Sequence, residues 1–113
     1  TVVMLTEDDV RRVALSMPES TEEIHFDSAS FCVGKKIFCT LAKGADQTTV
    51  KLSLEDQHNL VAHDPAAMSP VPGYWGQKGW TELRFARLDE DRLTTLMRLA
   101  WVSVAPKRLS RSD

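Results

Sequence analysis

The sequence predicts an α+β domain built on an antiparallel sheet, and three observations predict it. Apolar and polar side chains alternate through residues 23–52, with short polar turns between the runs. Segments near residues 7–17, 53–63 and 89–105 carry helix-capping residues ahead of helical sequence. The order is helix, four strands, helix, long loop, fifth strand, helix. Strands joined by turns rather than by helical crossovers pair antiparallel, and three amphipathic helices then bury their stripes most simply on one sheet face. The other face is left open.

The first helix is expected over Glu7–Met17. Thr6 can cap it, Glu7-Asp8-Asp9 fill its first turn, and Val10, Val13, Ala14 and Met17 share one face before Pro18 stops it. Strands follow at Ile24–Phe26 and Phe31–Val33, then at Ile37–Leu41 and Thr48–Leu52. Two registers are open at the Gly34–Lys36 turn. A two-residue loop pairs Val33 with Lys36; a three-residue loop pairs Val33 with Ile37 and gathers Phe31, Val33, Ile37, Cys39 and Leu41 on one face, the better core. A slip of one residue flips every side chain. Neither register sets Cys32 opposite Cys39, so two free thiols are expected. Ser53 caps a second helix that runs to about His63 and is closed by Asp64-Pro65. Residues 66–79 read as the longest irregular segment, and Trp80–Leu88 as a fifth strand. Asp89 caps the last helix, whose stripe is Leu93, Leu96, Met97, Ala100, Trp101 and Val104; Pro106 ends it, and 106–113 reads as a polar tail.

The 113 residues suit one domain. With 42% hydrophobic and 27% charged residues the chain has an ordinary globular composition, which argues against wholesale disorder. No stretch approaches the ~20 apolar residues of a membrane helix, and residues 1–5 lack the pattern of a secretory signal. Two cysteines without metal-type spacing suit a reducing, cytoplasmic setting. The net charge of −2 hides an asymmetry: residues 1–27 carry seven acids and two bases, whereas 28–54 carry four lysines and one acid, and 92–113 five bases and one acid. If folding unites the last two stretches, an acidic protein acquires a local basic surface.

Candidate binding residues follow from that asymmetry and from one loop. Pro72-Gly73-Tyr74-Trp75-Gly76-Gln77-Lys78-Gly79-Trp80 sets two indoles around glycines and a lysine. A ring there can stack on a planar ligand or a base while Lys78 meets an anion; alternatively, Trp75 and Trp80 are plugs that pin the loop to the sheet. Lys51 lies mid-strand, and alternation sends it with Thr49 to the face opposite the core, where Arg84 would extend a positive strip. The competing account is a solubilising lysine. Lys36 stands at a turn. Lys107 and Arg108 end the last helix, where they suit either its dipole or a phosphate. His58 and His63 are five apart and share no helical face, and His25 reads as a structural or surface residue. No catalytic set, metal site or cofactor motif is legible.

These residues also carry a family likeness. Ala14-Leu15-Ser16-Met17-Pro18, His25, Ser30–Phe38, Thr49–Leu52, Pro72–Thr81, Ala100-Trp101 and Ala105–Leu109 resemble, in order and over nearly the whole chain, the MmcQ/YjbR family of small bacterial proteins. The Trp-Gly-x-x-Gly-Trp run with the closing Ala-Pro-Lys is the specific part; an Arg near Asp27 or Ser28, frequent in the family, is absent. The resemblance implies an α+β fold similar to secretion chaperones and to the frataxin-like bacterial protein. The family is often labelled DNA-binding and has no established catalytic residues.

The expectation is a non-enzymatic binding protein with DNA as first candidate partner. Lys36, Lys51, Lys78, Lys107 and Arg108 would meet phosphates, and Trp75 or Trp80 a base. The alternative is a protein-interaction module or homodimer using the open sheet face. The third reading is a small-ligand or enzymatic pocket under the Trp75–Trp80 loop.

Overall fold

The computed structural model describes residues 5–25, 28–42, 44 and 46–105. Helix α1 spans Glu7–Leu15. Thr6 caps it reciprocally: the Asp9 N–H donates to Thr6 Oγ1, and the Thr6 N–H donates to the Asp9 carboxylate at 2.8 Å. That hydrogen bond, and Arg12 beside it, hold the Asp9 carboxyl below its ordinary pKa. The helix stops two residues short of Met17, where the Ser16 hydroxyl donates to the Val13 carbonyl at 2.6 Å.

Strands β1 (Ser20–His25) and β2 (Ser28–Val33) form an antiparallel pair, and β3 (Lys36–Ala42) returns along β2. Ile24 is 69% exposed at this edge of the sheet rather than in the core. The β2–β3 hairpin uses both registers that the sequence leaves open. At the turn, Gly34 takes φ +64°, as glycine-first two-residue turns require, and Val33 pairs with Lys36. One residue further on the register shifts, and Phe31 pairs with Cys39. The extra residue on β3 is Phe38. A bulge turns successive side chains toward the same side, so Phe38 and Cys39 are both fully buried while Ile37 is 40% exposed. The expected core position of Ile37 is therefore taken by Phe38.

Strand β4 (Thr48–Lys51) pairs with β3, and helix α2 (Leu54–His63) follows, capped by Ser53. The segment 66–79, read as irregular, holds a short strand β5 (Met68–Pro70) and one helical turn α3 (Tyr74–Gln77). Neither is long enough to show a period. Strand β6 is only Trp80–Leu83; a 3₁₀ turn at Phe85–Arg87 replaces the expected second half of the strand and leads into helix α4 (Glu90–Val104). The six-stranded sheet is thus one strand wider than expected, in the order β1-β2-β3-β4-β6-β5, with every pair antiparallel.

Helices α1 and α4 cover one face. Val10, Val13, Ala14, Leu93, Leu96, Met97, Ala100 and Trp101 pack with Phe31, Val33, Phe38, Cys39, Leu41, Val50 and Leu83 in a single cluster. Arg12 bridges Asp9 and Glu90, joining the two helices, and the Trp101 indole N–H donates to the Pro18 carbonyl at 3.0 Å. Helix α2 lays Leu60 and Val61, partly buried, against this cluster, and its one buried residue is polar, Gln57. Both cysteines are free and buried, as expected. Burial pushes the Cys39 thiol up to about 12; burial, and then the Glu23 carboxylate, raise that of Cys32.

Candidate ligand groove on the open sheet face

Residues directly opposite in an antiparallel pair point to the same face. Thr48 and Val50 of β4 and Thr81 and Leu83 of β6 are buried in the core, so Thr49, Lys51, Trp80 and Glu82 lie on the face away from α1 and α4. The pairings Glu23↔Ser30, Ser30↔Thr40, Thr40↔Thr49, Thr49↔Glu82 and Ser69↔Glu82 then form one transverse row across all six strands of that face. Neighbours in this row are ~4.8 Å apart. It carries three hydroxyl side chains between two glutamates, and a fourth, Ser69, beyond Glu82 on the edge strand.

The chain between β5 and β6 builds a wall at one end of this row. Gly73 turns it with φ +82°, and α3 follows. A Cβ on Gly76 would stand 1.9 Å from the Val71 carbonyl oxygen, and one on Gly79, at φ +105°, 2.0 Å from that of Leu52. Only glycine permits either approach. The Leu52 N–H donates to the Gly79 carbonyl at 2.9 Å, and the Val71 N–H to the Trp80 carbonyl at 3.0 Å. Gln57 completes the support: its side-chain amide reaches the Gly76 and Trp80 carbonyls and Thr81 Oγ1 at 3.0–3.1 Å. The wall is fixed by backbone packing and buried hydrogen bonds, and its indoles are left outside.

Between wall and sheet lies a groove of about 310 Å³ lined by Thr40, Thr49, Val71, Trp75, Trp80 and Glu82. Trp75 is 59% exposed, so it is not a plug, and Tyr74 packs edge-on against it with ring centroids 5.4 Å apart. Trp80 is half-buried. Among the described residues, the side chains of Thr40, Thr49 and Glu82 make no hydrogen bond or ion pair with the protein.

The expected cations divide. Lys51 stands on the open face directly opposite Trp80, as alternation requires. Lys78 is outside the groove, with its ammonium 5.4 Å from the Tyr74 ring centroid. Lys36 pairs with Val33 and so points to the helix side of the hairpin end. All three stand at the same end of the sheet, with Lys36 on the helix side and Lys51 on the open face, and the acidic first turn of α2 (Glu55, Asp56) shares that end. Arg84 does not extend a strip from Lys51. It follows β6 at the opposite end and donates to the Ala66 carbonyl at 3.3 Å. Lys107 and Arg108 lie outside the described residues, as does the side chain of His25.

Thr40, Glu82 and Gln57 are absent from the sequence-derived set. Alternation marks Thr40 and Glu82 as off the core, but nothing in the sequence says that β4 neighbours β6 across the intervening α2–α3 segment. Gln57 reads as a solvated polar helix position.

Comparisons with known proteins agree with this architecture. A crystal structure of the Deinococcus radiodurans protein DR2400, whose domain is classed as DUF419, superposes with a TM-score of 0.78 over 96% of this chain and 84% of that one, at 22% identity. That likeness concerns the fold. No curated protein matches the chain significantly. No described helix is long and apolar enough to cross a membrane. The YjbR family model matches residues 15–103, from the end of α1 through almost all of α4 and across the whole glycine–tryptophan wall, and on that match the chain belongs to the YjbR family.

Proposed function

We propose that this is a binding protein rather than an enzyme, and that it holds a flat organic ligand in the open-face groove. One observation carries the reading: two indoles, one of them 59% exposed, border a groove whose Thr40, Thr49 and Glu82 side chains have no partner among the described residues. Exposed aromatic surface supplies stacking, and unpaired acceptors and hydroxyls supply orientation. The volume sits near the lower bound of the ~300–1,000 Å³ usual for small-molecule sites, enough for one ring system.

The groove competes with the two other readings of the sequence. A duplex-binding surface needs several cations aligned along a polyanion. Here Lys36, Lys51 and Lys78 face different ways, and Glu82 lies in the groove. Self-association through a sheet edge meets its own obstacles. Around the middle of β1, antiparallel self-pairing would oppose Glu22 and Glu23 across the interface, and β5 is three residues long and ends in Pro70.

The test is an NMR titration that follows the three indole N–H signals. Trp101, whose N–H is tied to the Pro18 carbonyl, is the internal control. A planar heterocycle from a panel including the common nucleoside monophosphates should shift Trp75 and Trp80 saturably and leave Trp101 in place. No saturable shift with any member of the panel, at millimolar concentration, refutes the reading.

A further inference from the structure

We infer that the ligand of this groove is a guanine nucleotide; the inference rests on the groove being a ligand site and adds what that site selects. Strands β6 and β4 set complementary chemical groups side by side on the open face. Glu82 lies two residues inward from Trp80 on the same face, ~7 Å away, and Lys51 lies opposite Trp80 toward the end of the sheet. Trp75 rises beside them from α3. Along the strands there are two levels: an acceptor-only carboxylate with the Thr49 hydroxyl across from it, and two residues on the Trp80 indole, with the Lys51 ammonium group beside it just outside the groove lining.

A complementary ligand carries a flat ring with N–H donors at the edge toward Glu82 and an anion at the side toward Trp80 and Lys51. Guanine meets the first condition better than the other bases. Its pairing edge presents the N2 and N1 donors side by side, followed by the O6 acceptor. An ionised carboxylate accepts two parallel N–H bonds, and a hydroxyl can donate to the third atom. Glu82 is that carboxylate, and Thr49, directly across from it, supplies the hydroxyl. Adenine offers one donor beside an acceptor, and that acceptor would face the carboxylate. Uracil and thymine set a single N–H between two carbonyls. The glycosidic bond leaves the purine on the side away from the pairing edge, so the phosphate exits toward Lys51. Stacking between indoles combined with pairing-edge contacts is a general way to hold an unpaired base.

The experiment is the same NMR titration with GMP, IMP, AMP, guanosine and a single-stranded deoxyguanosine trimer, on the parent chain and on Glu82→Gln and Lys51→Ala. Glu82 is half-buried and Lys51 donates no side-chain hydrogen bond that holds the fold, so both variants should keep the parent's spectrum outside the groove. The inference expects GMP to bind at least ~10-fold more tightly than IMP, which lacks the 2-amino donor, and than AMP, since a charge-assisted hydrogen bond is at stake. Glu82→Gln should erase that preference. Lys51→Ala should weaken GMP several-fold and leave guanosine unchanged. Equal binding of GMP, IMP and AMP, or a preference that survives Glu82→Gln, overturns the guanine assignment and leaves the groove standing. Binding of the trimer without binding of GMP overturns the free nucleotide as ligand. Absence of any indole shift with all five probes overturns the guanine assignment, and the ligand site falls with it only when the full heterocycle panel is silent as well.

Discussion

Gln57 is the residue on which the groove wall depends, and its replacement tests the account of that wall. The side chain is 8% exposed and aims its amide nitrogen at three acceptors: the Gly76 carbonyl at 3.0 Å, and the Trp80 carbonyl and Thr81 Oγ1 at 3.1 Å. Both carbonyls have a second donor, Gly79 N–H for Gly76 and Val71 N–H for Trp80, so removing Gln57 does not orphan them. Gln57→Leu keeps the bulk and loses about two net hydrogen bonds. At ~1 kcal/mol each the cost is ~2 kcal/mol. Gln57→Glu keeps the shape but sets a charged acceptor against three acceptors, and an unpaired buried charge costs ~3–5 kcal/mol.

The two variants separate by pH as well as by size. A carboxyl at this position is favoured neutral, because its protonated form can donate one bond. Its folded pKa is therefore raised. The stability of Gln57→Glu is fully present below the ordinary Glu value of ~4.3 and is lost as pH rises through the folded value. Urea unfolding followed by far-UV circular dichroism at pH 7 and pH 4, with the parent at each pH as reference, reads both effects. At an m-value of ~1–2 kcal/mol/M, Gln57→Leu should lower the midpoint by roughly 1–2 M at either pH. Gln57→Glu should lie below it at pH 7 and recover toward it at pH 4. If the two variants are equally stable at pH 7, or Gln57→Glu gains nothing relative to the parent at pH 4, the amide does not hold the wall in the way described.

Four further outcomes are expected. Gly79→Ala, which drives a methyl to 2.0 Å from the Leu52 carbonyl, should destabilise the protein far more than Gly34→Ala, where the space is open and only the left-handed conformation costs ~1–2 kcal/mol; equal losses by urea melt would contradict the packing account. Neither thiol should react with a disulfide reagent in the native protein at pH 8, and two should react in urea. Because the unfolded chain ionises above 9.0 while folded Cys39 stays protonated to about 12, Cys39 should lower stability by ~1.4 kcal/mol per pH unit across that window, and Cys39→Ala should lose that part of the slope and keep only the part due to Cys32. The lowered Asp9 carboxyl contributes stability above 3.8 that is lost as pH falls through its folded value, so the deficit of Asp9→Asn should shrink on acidification. Trp75→Ala should change stability by less than ~1 kcal/mol, whereas Trp101→Ala should cost ~3–5 kcal/mol; a large loss at Trp75 would make it a structural plug after all.

Local chemistry was legible wherever a single element decides it. The caps at Thr6, Ser53 and Asp89 stand where the sequence sets them, because each satisfies amides of its own helix. The α4 stripe is buried as its spacing requires from Leu93 to Trp101, and Lys51 with Thr49 leaves the core by alternation alone. What was not legible depends on contacts between distant segments. The bulge at Phe38 exists because the glycine turn demands one register and the core another, and a pattern read along one strand cannot show that conflict. Strand β5 is three residues long and owes its existence to pairing with β6. The placement of the lysines depends on such contacts too. Counting charges along the chain marks 28–54 and 92–113 as basic stretches, but it cannot show that Lys36 leaves the hairpin on the helix side while Lys51 stands on the open face.

The glycine–tryptophan run joins these two kinds of legibility, and its parts have different causes. Gly76 and Gly79 are fixed by backbone approach to Val71 and Leu52, so their presence is accounted for by the fold whatever the protein binds. Gln57 reaches across to the same loop and is likewise a matter of folding. Trp75 has no such account: its indole is mostly in water, where a polar residue would leave the loop equally well supported. Glu82 is in the same position, since a threonine or serine would suit that strand and would not leave a carboxylate unpaired in a groove. The fold thus explains the frame and leaves unexplained two side chains that line one groove, and an explanation in terms of a ligand needs only that pair and the lysine beside Trp80.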